Sequence, residues 1–492
     1  MRRISKSAAV LAALLAATSL SACGGGGGGG GGGGPSFDGF SLAHEELASP
    51  GGPQDFRYGA SVAWLHWNGD GRLDLLVGAP NQSGSMGTVA DVGAAYLYTQ
   101  NVNGTFTLAR TFGPTSWSGV TNVAAMNFGA AVATGDLDGD GRADLVIGAP
   151  GDAVGVNLAA GRVYVVFNDA AQVGTLVGPI SEPGGAEAGA EFGGALAIGR
   201  LNADLLADVV VSSIGATVAT HPAAGRVVGL FGASSATFGT LATAAISSSA
   251  PADDAEFGAQ VAIGDLNGDG LADLAVGEPG ASVASGGAVR IFGGSGGATP
   301  VFGIFQSLST AEAGQFVELG ASVAIADVDD DGDNDVIAGA PFGDVGIDGL
   351  EGYVIVFRNT NPPLGAFTAL APLIDRTQES GAEFGAHLVV GDLDGDGTPD
   401  LIVSAPAATA AATLGAGTVT AFVGTGNGLF GQPTADDVLR ASSPVEDMFF
   451  GSTAAGGDTD GDGTFDLLAV GAPGPTDPFS LQAGSVEVIR KN

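Results

Sequence analysis

A motif typified by Phe128–Pro150, FGAAVATGDLDGDGRADLVIGAP, recurs seven times along this 492-residue chain. The copies begin at Tyr58, Phe128, Phe192, Phe257, Leu319, Phe384 and Phe450, at intervals of 70, 64, 65, 62, 65 and 66 residues. A fixed period of this length marks a repeat architecture, in which each unit buries its apolar face against its neighbours. Each copy reads as short strands separated by turn residues, with no sustained helical period. A small-residue strand follows the aromatic-Gly pair, as at Phe257–Ile263, and leads into an aspartate-rich loop. An apolar strand then ends in Gly-Ala-Pro or a variant, as at Leu274–Pro279. A β-branched strand opened by glycine comes next, as at Gly161–Phe167 and Gly352–Phe357. A weaker fourth strand closes the unit, as at Thr105–Phe112.

Seven four-stranded antiparallel units predict an all-β, seven-bladed propeller. The last copy reaches only its third strand, Gly484–Arg490, whereas Phe40–His44 precedes the first copy and has no blade of its own. Placing the N-terminal segment beside the last strand closes the ring and hides an open sheet edge. An open solenoid would need capping units at both ends, and none is visible. The aromatics that open the repeats are predicted to start the innermost strands and to pack between blades.

Five of the aspartate loops share one pattern, with Asp or Asn at positions one, three and five, Gly at six and Asp at nine. They are Asp136, Asp138, Asp140 and Asp144; Asp265, Asn267, Asp269 and Asp273; Asp327, Asp329, Asp331 and Asp335; Asp392, Asp394, Asp396 and Asp400; and Asp458, Asp460, Asp462 and Asp466. Alternate positions of a tight loop converge on one centre, and calcium takes six to eight such oxygens. Magnesium keeps more of its water, and zinc prefers Cys and His. An EF-hand would need helices on both flanks and Glu at position twelve, where apolar Ile147 and Val276 stand. A plain Asp-Gly turn accounts for one loop better than for five in register. These loops hold 21 of the chain's 53 acids, and a divalent ion reverses the repulsion among them. Two loops depart. The first has His66, Asn68, Asp70 and Asp74, a weak or empty site. The third has Arg200, Asn202, Asp204 and Asp208 with Leu205 in place of glycine, and there the Arg200 guanidinium is expected to replace the metal by pairing with the acids.

The chain carries a formal net charge of −37, which excludes a phosphate-neutralising role on nucleic acid. At the N-terminus, Arg2, Arg3 and Lys6 precede the apolar run Ala8–Ala17 and then Leu20-Ser-Ala-Cys23. This reads as a secretory signal over residues 1–22, too short to span a membrane. It resembles the bacterial lipobox, which implies lipidation of Cys23, the only cysteine. Residues 23–35, with Gly24–Gly34, would form a tether reaching roughly 15–20 Å, and residues 36–492 the propeller. Glycine rather than aspartate after the cysteine favours the outer membrane by resemblance to Gram-negative sorting.

Together, the aromatic-Gly pair, the nine-residue acidic loop and Gly-Ala-Pro resemble FG-GAP repeats, the family of the integrin α-subunit N-terminal propeller. The resemblance covers about Phe37 to Asn492. It implies calcium in hairpins between first and second strands, and partners on the opposite face. Leu319 stands in place of an aromatic, and with no integrin leg or transmembrane domains expected, integrin signalling is not carried over. The expectation is a monomeric, calcium-binding, surface-anchored adhesion or binding module taking a protein or glycan. Trp117 and the loop Phe342–Glu351 are candidate contacts, although Trp117 equally suits a local hydrophobic cluster. The alternative is a polysaccharide- or phospholipid-processing enzyme. Its support is thin: of four histidines, His387 falls on an inner strand, His44 on the closing strand and His221 in a variable loop, with His66 in an acidic loop. A purely structural envelope protein is a third reading.

Overall fold

The computed structural model describes residues 40–50, 55–82, 91–120, 123–169, 171–172, 174–240, 245–281, 286–294, 302–309, 317–344, 349–360, 366–426, 430–431, 433, 437–474 and 484–491. The signal segment, Cys23, the glycine tether and residues 345–348 of the candidate contact loop lie outside them. Seven antiparallel blades form a propeller. Blade 2 is representative, with Val132–Gly135 innermost, then Asp144–Ala149, Arg162–Phe167 and, outermost, Thr175–Ile180. Blade 3 has three strands, Phe192–Gly199, Asp208–Ser213 and Arg226–Leu230. Its outer position is held, among the described residues, by a single bridge from Val227 to Ile246.

The ring closes. Each innermost strand touches the next, and Thr453–Gly457 of blade 7 returns to Ser61–Leu65 of blade 1. Blade 7 is completed by the N-terminal strand Phe40–Ala48, which pairs antiparallel with Ser485–Lys491. Glu45 secures this joint from its flank. Its carboxylate accepts Phe106 N of blade 1 at 2.8 Å and Arg490 Nη2 at 3.1 Å.

Residue size sets how closely the blades approach. The Gly of Gly-Ala-Pro meets the Gly of the next blade's aromatic-Gly pair, backbone to backbone. A Cβ on Gly148 would lie 2.1 Å from Gly193 O, and one on Gly471 would lie 2.0 Å from Gly59 O across the closing joint. No side chain fits at these two closest approaches, whereas blades 3 and 6 carry Ser212 and Ser404 at the same position, beside Gly258 and Gly451 of the next blade.

The aromatics are fully buried, as predicted, but their place differs. Only Phe192 starts an innermost strand. Phe128 and Phe384 sit in the turn before the strand and make parallel bridges to Gly93 and Gly352, which open the third strand of the preceding blade. Leu319 does the same with Gly287 and is equally buried, so the substitution keeps the packing role. The backbone N–H of Phe128, Phe192, Phe257, Phe384 and Phe450 is donated to the preceding blade, to Val92 O, Ala160 O, Ala224 O, Glu351 O and Ala416 O, and Phe192 makes this bond while also starting its strand.

Trp117, open to two readings as a contact or as part of a local hydrophobic cluster, takes the second in the structure. It is 3% exposed, packs against Phe112, Phe128 and Tyr164, and donates its indole N–H to Val177 O at 3.0 Å. Its position just before repeat two fills the wedge between blades 1 and 2.

Candidate metal centres

Every acidic loop joins the first strand of a blade to its second, so all of them lie at one end of the propeller. Neighbouring loops are tied together there. Asn168 Nδ2 donates to Trp67 O (2.9 Å), Ala207 N to Asp136 O (3.0 Å), Ala272 N to Arg200 O (3.2 Å), Asn334 Nδ2 to Asp265 O (2.7 Å) and Phe465 N to Asp392 O (2.8 Å).

Within a loop the aspartates divide into three tasks. Position one shapes the turn. Asp136 Oδ1 accepts Gly139 N at 2.7 Å and Oδ2 accepts Gly141 N at 2.9 Å. Asp265, Asp392 and Asp458 repeat this on Gly268 and Gly270, Gly395 and Gly397, and Gly461 and Gly463. Asp327 holds Asp331 N and Gly332 N. Position five caps the following turn: Asp140, Asp269, Asp331, Asp396 and Asp462 each accept the N–H two residues on.

Position nine is a keystone. Asp144 is fully buried and accepts Leu137 N at 2.9 Å and Asn168 N at 2.8 Å, joining the hairpin to the end of the third strand. Asp273, Asp335 and Asp400 bond in the same way. So do Asp74 and Asp208, in the two loops that depart from the pattern. An acid at this position therefore serves the fold even where the other ligand positions have changed. Sequence spacing could not separate that role from metal ligation, because both require the same residue. Asp466 accepts Thr459 N at 2.8 Å.

Positions one, three and nine converge. Asp136, Asp138 and Asp144; Asp327, Asp329 and Asp335; Asp392, Asp394 and Asp400; and Asp458, Asp460 and Asp466 each bring three ligand oxygens within 4.8 Å of one another. Position five stands outside these triplets. In the fourth loop position three is Asn267, whose Nδ2 lies 3.3 Å from Asp273 Oδ1. Burial raises the keystone carboxyls, with backbone N–H groups opposing: Asp144, Asp335 and Asp400 to about 7, Asp208 and Asp273 to about 6. Burial likewise raises Asp138, Asp329 and Asp394. A divalent ion would favour their charged forms.

The donor set fits a hard cation. It is all oxygen, three carboxylates deep, and in the fifth loop Asp329 Oδ1 is buried with no hydrogen-bond partner. An orphaned buried carboxylate oxygen is costly unless a cation completes it.

The two departing loops hold no such triplet among the described residues. In the first, His66 Nδ1 lies 3.0 Å from Arg72 O, and Arg72 pairs with Asp70. In the third, Arg200 forms no ion pair with the described acids, contrary to expectation. Leu205 takes a left-handed φ of +76° where the other loops carry glycine, and the backbone N–H groups of Asp204 and Leu206 keep the bonds to positions three and five, Asn202 and Asp204, that other loops also make. The turn survives on local hydrogen bonds, without a guanidinium.

The other histidines are separate. His387 is buried, with Nε2 3.0 Å from Ala454 O, and burial lowers its pKa. His221 is exposed and faces Asp253 at 2.8 Å. In the acidic segment proposed as a contact, Glu351 is buried and Leu350 exposed.

One feature of the opposite end escaped the sequence reading. The residue before each repeat's aromatic or leucine has positive φ in all seven copies: Arg57, Asn127, Glu191, Glu256, Glu318, Glu383 and Phe449. Burial, then Glu318, Asp254 and Glu191, raise Glu256 to about 7. Arg57, Asn127 and Glu191 line a cavity of about 220 Å³ there, and burial lowers Arg57 to about 10. The constant offset from the aromatic was the available signal.

Geometry thus defines a closed propeller with acidic hairpins on one face. Comparison with known proteins narrows the class. The family model for the FG-GAP repeat matches residues 128–166, 257–292, 384–422 and 450–487. Integrin alpha-PS5 of Drosophila melanogaster is 36% identical over 175 residues, covering 35% of this chain and 16% of that protein. Integrin alpha-5 of Xenopus laevis is 33% identical over 229 residues, and integrin alpha-IIb of Homo sapiens 32% over 228, each covering 45% of this chain and 20% of the relative. The chain thus spans a fifth or less of these relatives. A crystal structure of BBS1N in complex with ARL6DN shares the fold, with a TM-score of 0.50, 12% identity, and coverage of 91% of this chain and 97% of that one. This chain is a closed β-propeller that carries FG-GAP repeats in four of its blades and is similar, over part of its length, to integrin α subunits.

Proposed function

We propose that the protein is a calcium-stabilised, non-catalytic binding module held at the cell surface by a lipid on Cys23. The observation that carries the metal reading is the convergence of three aspartates in each of four hairpins, one of them presenting an unpartnered buried oxygen. Similarity to integrin α propellers supports a recognition role, and a rigid ring with loops on the face away from the acidic hairpins suits one. The basic, apolar and small-residue order before Cys23 supports secretion and anchoring. Among the described residues no helix is long and apolar enough to cross a membrane. A protein or glycan partner would bind the loop face opposite the hairpins.

Two measurements test this reading. Cells expressing the full chain are fed a radiolabelled fatty acid, and label is expected on the wild type and lost in Cys23→Ser. The purified propeller is then screened on protein and glycan arrays with calcium and with chelator. Saturable, calcium-dependent binding without turnover is expected. Unlabelled wild-type protein refutes the anchor, and catalytic turnover of a bound polysaccharide or phospholipid refutes the non-catalytic reading.

A further inference from the structure

The fifth hairpin differs from the other three that gather acid triplets. Arg358, from the third strand of blade 5, Tyr353–Asn359, places Nη2 2.5 Å from Asp329 Oδ2. Asp329 is the position-three member of its triplet and is 8% exposed. Its other oxygen, Oδ1, has no hydrogen-bond partner, and neither does the buried Nε of Arg358. Elsewhere position three meets no described cation at ion-pair distance. Asp138, Asp394 and Asp460 each accept only the N–H two residues on, from Asp140, Asp396 and Asp462. Arg142 faces Asp140, which lies outside its triplet.

We infer that Arg358 is a resident counter-cation of the fifth hairpin, with which an incoming divalent ion must share Asp329. This rests on the proposed metal reading and adds a rank order to it. The hairpin carries six acids between Asp327 and Asp335, against four in each of the other three triplet-bearing hairpins. Without a partner such a cluster repels itself. The guanidinium relieves part of that repulsion while the carboxylate oxygen facing away from it stays bare. A divalent ion on the triplet then sits beside a fixed positive charge, so the site binds more weakly than the hairpins at Asp136, Asp392 and Asp458. Blade 5 thereby keeps its hairpin ordered at low calcium, while its metal occupancy tracks a higher concentration range.

The test is calorimetric titration of calcium chloride into the mature chain, comparing wild type, Arg358→Gln and Arg358→Met. Asp329→Asn identifies which step of the isotherm belongs to this hairpin. Arg358 is about one-third exposed, so either variant leaves the core intact. The expected result is a weakest wild-type step that disappears in Asp329→Asn and tightens by about tenfold in both Arg358 variants. An unchanged or weakened step in the Arg358 variants overturns the inference while leaving the metal reading standing. A wild-type chain that takes up no calcium overturns both.

Discussion

Replacing Asp208 by alanine isolates the keystone role from metal binding, because the third hairpin has neither the pattern nor a triplet. The carboxylate is fully buried and accepts Leu201 N at 2.8 Å and Gly232 N at 2.7 Å. Its removal orphans two N–H groups, at about 1–3 kcal/mol each. Opposing this is relief of a desolvated charge. Burial raises the folded pKa to about 6 from the ordinary 3.8. Between those values the folded state holds more protons than the unfolded state, so the wild type loses stability as pH rises. The penalty is complete above pH 6, about two units or about 3 kcal/mol. Integrating the linkage leaves about 1.5 kcal/mol of it at pH 5 and about 3 at pH 7.5. Alanine feels no such penalty. The destabilisation caused by Asp208→Ala should therefore be about 1.5 kcal/mol larger at pH 5 than at pH 7.5. Urea midpoints of both proteins in chelator at the two pH values give this difference directly, and the chain's other titrations cancel in it. A variant as stable as wild type at pH 5, or a difference growing with pH, would refute the reasoning.

Three further substitutions test the packing. Gly471→Ala places a Cβ 2.0 Å from Gly59 O at the closing joint, and a loss of at least about 1–3 kcal/mol in chemical denaturation is expected. Trp117→Ala empties the wedge between blades 1 and 2, and should cost about 3–5 kcal/mol by the same assay; a change under about 0.5 kcal/mol would mean an exposed indole. Leu205→Gly removes a left-handed strain from an exposed side chain and should raise stability by about 1 kcal/mol, read as a higher melting temperature.

The repeat made the ring legible before any coordinates, because seven copies with an incomplete last unit leave one place for Phe40–His44. The observed pairing of Phe40–Ala48 with Ser485–Lys491 is that place. The start of the inner strand was legible at Phe192 and not in the other blades. The aromatic's N–H bonds to the preceding blade, as Phe257 N does to Ala224 O at 2.9 Å, and nothing in the local pattern distinguishes an inter-blade bond from an in-sheet one. Trp117 was readable both as a contact and as core, and the sequence could not choose because its partners Phe128 and Tyr164 lie beyond the local segment. The acidic loops were legible as a group, but the division of labour among their aspartates was not. Positions one, five and nine all hold backbone N–H groups, and only their coordinates show which three carboxylates converge. The Arg358 contact with Asp329 spans 29 residues and follows no motif.

The central claim is that divalent cations pin the hairpins of a closed ring. Equilibrium dialysis of the mature chain against calcium, with bound metal counted by atomic emission after exhaustive washing and again after chelation, tests it most directly. The account predicts about four to five ions per chain at saturation, with a melting temperature that rises as they bind. A chain that emerges metal-free from millimolar calcium, with a melting temperature unmoved by chelator, would contradict it.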